Sequence, residues 1–290
     1  MRILQISDTH LGARLNARGP VGWCRADDHH AALERALAPV FHEEVDLVVH
    51  AGDVFDRSRP PRRDVERAGA LFRRVAARVP VLGIAGNHDR RGIRRWLPHR
   101  ALQFVDQPTV VDVRGFRIGL LPYRRCASDW AASRARMGTV DLLVCHQGFA
   151  GSRVPGFTFR VGQPRETVGP EHLANDRWIA SGHIHPRQEV RVGDAVVVHG
   201  GSTERTSFRE ADQGKGSVVW SFGRTVSWRF VDHATRPMAR RPAPGALVRC
   251  TREQVDGVLG AGGIAVIRGA PRERPAVHPR VPPVQMGLFG

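Results

Sequence analysis

Ile3-Leu4-Gln5-Ile6-Ser7-Asp8-Thr9-His10 joins a short apolar run to an Asp-x-His pair, and the same arrangement returns along the chain. Asp46 to His50 leads into Gly52-Asp53, and Val79 to Ala85 into Gly86-Asn87-His88-Asp89. Val140 to Cys145 leads into His146, and Trp178 to Ser181 into Gly182-His183-Ile184-His185. Short apolar runs bounded by turn residues read as buried strands. Carboxylates, imidazoles and one amide therefore leave the ends of successive strands. One Asp-x-His would be a strand-end polar pair and nothing more. The ordered set describes a two-metal hydrolase acting on phosphate esters.

Helix-like stretches separate the early runs. Asp28 to Glu44, with Asp27 or Asp28 as N-cap, and Asp64 to Arg78, opened by Asp64, carry apolar residues at helical spacing. Phe116 to Pro122 adds a strand. This alternation predicts a layered α/β fold with helices outside. After Gly182 consecutive strands follow: Glu189 to Val192, Ala195 to Val198, Ser217 to Phe222 and Thr225 to Phe230, with turns such as Val192-Gly193-Asp194. The expected architecture is two facing sheets between helices, a four-layer α-β-β-α sandwich.

A boundary is expected near Asp232, giving a main domain over 1–232 and a short C-terminal appendage over 233–290. Pro237 to Pro244 reads as a linker, and Leu247 to Arg268 as strand, helix and strand, with Thr251 capping a helix from Arg252 to Leu259. The Pro- and Arg-rich tail beyond Gly269 has the composition of a disordered segment.

With 290 residues, 41% of them hydrophobic, the chain can bury a sizeable core. No apolar run is long enough for a bilayer, and the first residues run straight into a motif, so neither a membrane span nor a signal peptide is expected. Cys24, Cys126, Cys145 and Cys250 form no CxxC pair and read as reduced thiols of a cytoplasmic protein. A net charge of +16 and a pI of about 11.4 favour a polyanionic partner, nucleic acid first, and a nucleoid-associated location. Part of this charge is compositional. Lys215 is the only lysine among 44 Lys and Arg residues, so a bias toward Arg coats the whole surface.

Two cations held together need a bridging carboxylate to lower their repulsion, and Asp53 is the candidate. Asp8 and His10, two apart at a strand end, reach the first metal, with His185 returning to it. Asn87, His146 and His183 serve the second. Mixed oxygen and nitrogen ligands suit Mn²⁺, with Fe or Zn²⁺ as substitutes. Water between the cations becomes acidic enough to attack phosphorus in line. His88, beside a ligand, faces the substrate as general acid, and Asp56 is placed to hold its other ring nitrogen.

The motif set resembles the calcineurin-like metallophosphoesterase superfamily over about Met1 to Asp232. Within it, the chain is most similar to the SbcD-like DNA double-strand-break repair nucleases. Leu4 to Gly12, Gly52 to Pro61 and Gly200-Gly201-Ser202-Thr203-Glu204-Arg205-Thr206-Ser207-Phe208-Arg209-Glu210 carry that likeness. The resemblance implies Mn²⁺-dependent cleavage of DNA phosphodiesters in repair or replication, as an exonuclease, with endonuclease action the second option. Some relatives carry His where this chain has Asp56. Relatives of this branch usually continue into a larger capping domain and a segment that docks on an SMC-like ATPase, whereas only the short appendage follows Asp232 here.

Two Arg-rich stretches follow metal motifs: Arg57, Arg59, Arg62 and Arg63, then Arg90, Arg91, Arg94 and Arg95. Arg57, Arg59, Arg90, Arg91 and Arg94 are the candidate contacts to flanking phosphates, which position a strand without reading its sequence. Trp96 and Phe104 are expected in the core, as are His29, His30 and His199 or on helix surfaces, with His50 near the metal motif. Gln285-x-x-Leu288-Phe289 resembles the peptide by which bacterial DNA enzymes dock on the sliding clamp, a polar anchor ahead of two apolar groups. Two other readings stand beside the nuclease: a phosphodiesterase for small nucleotides or RNA ends, and a non-catalytic adaptor for DNA or the clamp.

Overall fold

The computed structural model describes residues 1–267 except 15–16, 19–23, 90–91 and 240. Arg90, Arg91, Gln285, Leu288 and Phe289 therefore lie outside the described residues. The N-terminal part contains β1 (Arg2–Ile6), β2 (Ala17–Arg18), α1 (Arg25–Leu37), α2 (Pro39–His42), β3 (Leu47–His50), α3 (Arg62–Ala76), β4 (Val81–Ile84), α4 (Ile93–Trp96) and β5 (Leu102–Val105). Then come β6 (Thr109–Val113), β7 (Phe116–Leu121), α5 (Ala127–Ala135), β8 (Leu142–His146), β9 (Arg153–Val154), β10 (Phe157–Thr158), β11 (Trp178–Gly182), β12 (Gln188–Val192) and β13 (Ala195–His199). The chain continues through β14 (Gly216–Phe222), β15 (Val226–Asp232), β16 (Met238–Ala239), β17 (Leu247–Cys250), α6 (Val255–Gly260) and β18 (Ile264–Ile267).

Two six-stranded sheets, ordered β15-β14-β1-β3-β4-β5 and β12-β13-β11-β8-β7-β6, face each other. In the first, β1, β3, β4 and β5 are parallel. In the second, β7, β8, β11 and β13 are. Both faces of the parallel strands are covered, which is why they read as unbroken apolar runs. Alternate residues sort to the two sides: Ile3, Leu47, Val49 and Leu82 meet Leu120, Leu142, Val144 and Val198 between the sheets. Their neighbours Leu4, Ile6 and Val48 pack on Leu33, Leu37, Phe72 and Val75 of α1 and α3. On the opposite outer face, Leu143, Cys145 and Ile179 lie under Trp130 of α5 and Phe149. The four-layer arrangement expected from the sequence is present. Each fully buried Leu or Val contributes about 1.5–3 kcal/mol to holding these layers.

Polar side chains set the register between sheets. Gln5 Nε2 donates to the carbonyls of Ser181 and Val198 (3.2 and 3.1 Å), and its Oε1 accepts from Trp220 Nε1 at 2.7 Å. Ser7 Oγ donates to Gly201 O at 2.9 Å. The strand that carries Asp8 and His10 is thereby keyed to the sheet that carries the later histidines.

The expected helix starts need correction. α1 begins behind Cys24 and α3 behind Pro61, and neither cap residue makes a side-chain bond to its helix. Asp27, Asp28 and Asp64 sit in the first turns, where their charge suits the helix dipole. Tertiary partners take their carboxylates: Asp28 accepts from Arg25 (3.0 Å) and twice from Arg236 (2.7 and 2.6 Å), and Asp64 from His30 (2.9 Å). The long helix expected to Glu44 stops at Leu37, and α2 starts afresh at Pro39, because proline cannot donate to an ongoing helix.

A four-stranded sheet, β16-β17-β18-β2, forms the appended unit, with α6 packed on it. α6 begins at Val255, three residues later than expected at Arg252, behind Gln254 and not Thr251. The expected linker is partly structural, since Met238 is buried and β16 pairs with β17. The antiparallel strand β2 comes from the loop after His10. Met238, Leu247, Ile264 and Val266 pack on Phe208 and Ala211. No helix among the described residues is long and apolar enough to cross a membrane.

Candidate metal centre

Parallel strands deliver their C-terminal ends to one edge, which gives open α/β sheets a crevice for ligands there. Asp8 and His10 follow β1, Asp53 follows β3, Asn87 follows β4, His146 ends β8, and His183 and His185 follow β11. The chain must turn sharply at these points. Asp8, His10, Asp53 and His183 have φ of 49°, 43°, 54° and 75°, in the left-handed region that costs L residues about 1–3 kcal/mol each. Backbone bonds hold the turns: Asp8 N to Gly52 O (3.0 Å) and His10 N to Asp53 O (3.1 Å). The motif glycines serve close approach. A Cβ on Gly86 would lie 2.1 Å from Asp53 Oδ1, and one on Gly182 would lie 2.2 Å from Ala51 O.

All seven residues read as ligands are brought together. Donor atoms of Asp8, His10 and His185 lie within 4.8 Å of one another, as do those of Asp8, Asp53 and His146. A cation with ligands at about 2.0–2.2 Å fits between donors so spaced. Asp53 Oδ1 accepts from the His88 N–H at 2.8 Å, which leaves Oδ2 facing His10 Nε2 (3.8 Å) and His146 Nε2 (3.3 Å). A single carboxylate oxygen thus looks to both sides of the centre. On the second side, Asn87 Oδ1 meets His146 Nε2 at 3.0 Å and His183 Nδ1 at 3.1 Å. On the first, His10 Nε2 and His185 Nε2 stand 3.2 Å apart. Two imidazole lone pairs approach so closely only around a shared proton or a cation. This donor set fits divalent metal.

Charges within the cluster are strongly coupled. Burial alone would lower His146, but Asp53 and then Asp8 push it up to about 9. Burial alone would raise Asp53, but His146, His10 and His88 hold it well below the usual carboxylate range. His183 is pushed down to about 3 by burial and by the charge on His146, so it presents a neutral imidazole. Carboxylates and imidazoles neutralise one another by proton, and cations would take the same place.

Residues 1–249 match the family described as calcineurin-like phosphoesterase. The chain belongs to that family. It is 39% identical over 233 residues to the DNA double-strand break repair protein Mre11 of Methanosarcina acetivorans, covering 76% of this chain and 36% of that protein. Mre11 of Haloferax volcanii is 37% identical over 246 residues, covering 82% of this chain and 53% of that protein. The D component of the nuclease SbcCD of Bacillus subtilis is 27% identical over 278 residues, covering 80% and 69%. The chain spans only 36% of the length of the two Methanosarcina relatives.

In this calcineurin-like centre His88 stands edge-on to His10, ring centroids 4.8 Å apart. Its Nδ1 does meet Asp56, at 2.7 Å, but the acceptor is the main-chain carbonyl. The expected carboxylate contact is corrected accordingly: Asp56 Oδ1 faces His10 Nδ1 instead, at 3.5 Å. The reason is local, for the turn after Asp53 is pinned by Asp56 N to Leu11 O and points the carbonyl toward His88. His50 is buried, with Nε2 3.1 Å from Thr9 Oγ1, and braces the residue between Asp8 and His10.

Sequence reasoning missed several supports. Asp89 accepts from the N–H groups of Val54 (2.9 Å), Phe55 (2.8 Å) and Gly86 (3.3 Å), clamping the Asn87 loop to the Asp53 loop. Burial and then Asp53 raise its carboxyl to about 6. Glu210 accepts from His185 Nδ1 at 3.1 Å. Both stood inside quoted stretches, but the only signal in the sequence was the adjacency of Asp89 to His88, whereas Glu210 is 25 residues from His185 and is joined to it by the fold alone. Tyr123 lies 5.7 Å from the His183 ring, and Glu166 Oε1 lies 3.9 Å from its Nε2.

Around the centre, Arg57, Arg59 and Arg94 are exposed on the segments after Asp53 and His88. Arg62 and Arg63 pair with Glu66 and Asp27. Phe104 is in the core, and Trp96 packs half-buried against the same core with its Nε1 donating to Ser58 O. A cleft of about 1120 Å³ opens at Gly86 and Asn87 and is bordered by Tyr123, Arg124, Arg125 and Arg136.

Proposed function

We propose that residues 1–232 form a Mn²⁺-dependent DNA nuclease, an exonuclease with endonuclease action as the second option, acting in repair or replication in the cytoplasm at the nucleoid. The observation that carries this reading is Asp53 Oδ2, directed at two separate sets of donors beside a cleft edged with arginine. The relatives named for double-strand break repair and for a nuclease support DNA as the polymer. The likeness to that branch also supports an SMC-like ATPase as a partner. Docking on a sliding clamp through Gln285, Leu288 and Phe289 rests on sequence alone.

Asp8, His10, His185 and Asp53 would hold one cation, and Asp53, Asn87, His146 and His183 the other. When bound, the pair supplies Lewis acidity at the phosphoryl oxygens and lowers the pKa of the attacking water. His88 Nδ1 donates to Asp56 O, which fixes the ring and leaves Nε2 to protonate the departing oxygen. Exposed Arg57, Arg59 and Arg94, with Arg90 and Arg91, would bind phosphates on either side of the scissile one.

The test is a substrate panel of linear duplex DNA, single-stranded DNA, RNA and a cyclic nucleotide, each with Mn²⁺, Mg²⁺ or chelator. DNA is expected to be degraded with Mn²⁺ and untouched with chelator or in Asp53→Asn. Turnover of the cyclic nucleotide or RNA alone would replace this reading with the small-phosphodiester one. Activity equal in Asp53→Asn would remove it altogether.

A further inference from the structure

Lys215 is the one lysine of the chain, and its side chain is wholly buried. In a sequence that uses Arg at every other basic position, an ammonium retained at a buried site points to a geometry that guanidinium cannot meet. Lys215 Nζ lies 2.6 Å from Glu210 Oε2, 2.7 Å from Ser202 Oγ, 3.3 Å from Gln213 Oε1 and 3.4 Å from His185 O. These acceptors surround a point charge. A planar fork would not reach them together.

Glu210 stands between this lysine and the metal centre. Oε1 accepts from Thr206 Oγ1 (2.6 Å), His185 Nδ1 (3.1 Å) and Ser207 Oγ (3.3 Å). Oε2 accepts from Lys215, from Thr206 N (3.3 Å) and from Ser202 Oγ (3.4 Å). A carboxylate so completely surrounded has one orientation. Because it accepts from His185 Nδ1, the proton of a neutral His185 stays on Nδ1 and the lone pair of Nε2 is turned toward His10 Nε2 and Asp8 Oδ1. Hydrogen bonds to the second ring nitrogen decide which nitrogen of an imidazole can bind metal. The other donor set has different supports, Ala51 O at His146 Nδ1 and Glu166 near His183.

We infer that Glu210 and Lys215 are positioning residues for His185: the buried pair fixes its tautomer and ring plane, and so governs loading of the Asp8/His10/His185 position and not of the Asn87/His146/His183 position. This rests on the two-cation reading above and adds an asymmetry to it. A buried ion pair is weak evidence for stability, so a role in orientation accounts better for its retention.

The test uses the full chain with Mn²⁺ as the probe. Binding is followed by equilibrium dialysis and by electron paramagnetic resonance, and the metal-free histidine tautomers are read by ¹⁵N NMR. The wild type should bind two Mn²⁺ with a spin-coupled signal and show His185 protonated on Nδ1. Glu210→Met, which leaves no carboxylate or amide oxygen at that position for His185 Nδ1 to donate to, should weaken one Mn²⁺ by about 10–100-fold, as loss of a ligand's hydrogen-bond partner does. The second Mn²⁺ should bind as before and give an uncoupled signal, and His185 should become a mixture of tautomers. Because Glu210→Met leaves a buried ammonium without its carboxylate, Glu210→Met/Lys215→Met removes both charges and provides a second folded variant with the same expected loss. Two Mn²⁺ bound with wild-type affinity and an unchanged His185 tautomer in either folded variant would overturn the inference alone. A wild type that binds fewer than two Mn²⁺ would overturn the two-cation reading, and this with it.

Discussion

At the scale of single residues, metal chemistry made the centre legible. Few side chains donate to cations, and their order along the chain survives folding, so Asp8, Asn87 and His185 could be named before any contact was known. Which atom of a residue acts was not legible: Asp56 meets His88 through a carbonyl that every residue carries. The glycines between these groups give a sharp test. Gly86→Ala would put a Cβ 2.1 Å from Asp53 Oδ1 and 2.4 Å from Asp53 N, and a main-chain nitrogen cannot swing aside. Displacing the Asp53 carboxylate by an ångström is expected to lower turnover on the order of 100-fold, with overpacking costing about 1–3 kcal/mol of stability. Gly257→Ala, in α6 with nothing within 4 Å of its Cβ, should keep full activity and gain about 0.5–1 kcal/mol. Steady-state rates beside urea melts of both variants check the pair, and an active Gly86→Ala would refute the close-contact account.

Elements were legible where both faces of a strand are apolar and less so elsewhere. β5 and β6 were not read from sequence because the exposed Gln103 breaks the four residues of β5, and β6 is only partly buried along its length. α5 was missed because the apolar residues of Ala127–Ala135 are one Trp and four Ala, interrupted by Ser, Asp and Arg. Helix starts were misplaced for a different reason, since first-turn aspartates were taken by distant partners. Asp28 and Asp27 are adjacent in sequence and differ in surroundings. Asp28 is buried against Arg25 and receives two bonds from Arg236, whereas Asp27 meets the exposed Arg63 and Arg67. Asp28→Ala leaves the buried Arg25 with Glu204 as its remaining carboxylate, 3.4 Å away, removes two bonds that Arg236 makes, and is expected to cost about 2–3 kcal/mol. Asp27→Ala, a surface pair, should cost less than about 1 kcal/mol. Urea denaturation of each variant would decide, and equal losses would mean that burial of the pair contributes nothing.

For the whole molecule, the alternation of strand, motif and helix sufficed for the layered fold, because each parallel strand must be covered on both faces. It did not disclose that β2, from the loop after His10, completes the appended sheet, as two residues carry no periodicity. Nor did it disclose how many histidines the layers enclose as neutral groups. His29 donates through Nδ1 to Thr9 O, and His199 lies between Ser152 Oγ and Gly182 O. Burial and then Arg25 push His29 down to about 3, and burial pushes His199 down to about 4, from about 6.5 in the unfolded chain. The sign follows from which state binds the proton. Above pH 6.5 both states leave these rings neutral and the stability is fully present. As pH falls below that value the unfolded chain takes up protons that the folded one refuses, so stability is lost toward pH 4, where His199 titrates in the fold. Each such ring adds a slope of up to about 1.4 kcal/mol per pH unit within that window. Urea midpoints of chelator-treated protein should therefore decline from pH 7 to pH 5, and His199→Asn should flatten the decline by close to one proton. The same slope in the variant and the wild type would show that His199 is not held neutral, and that the acid lability of the sandwich has another source.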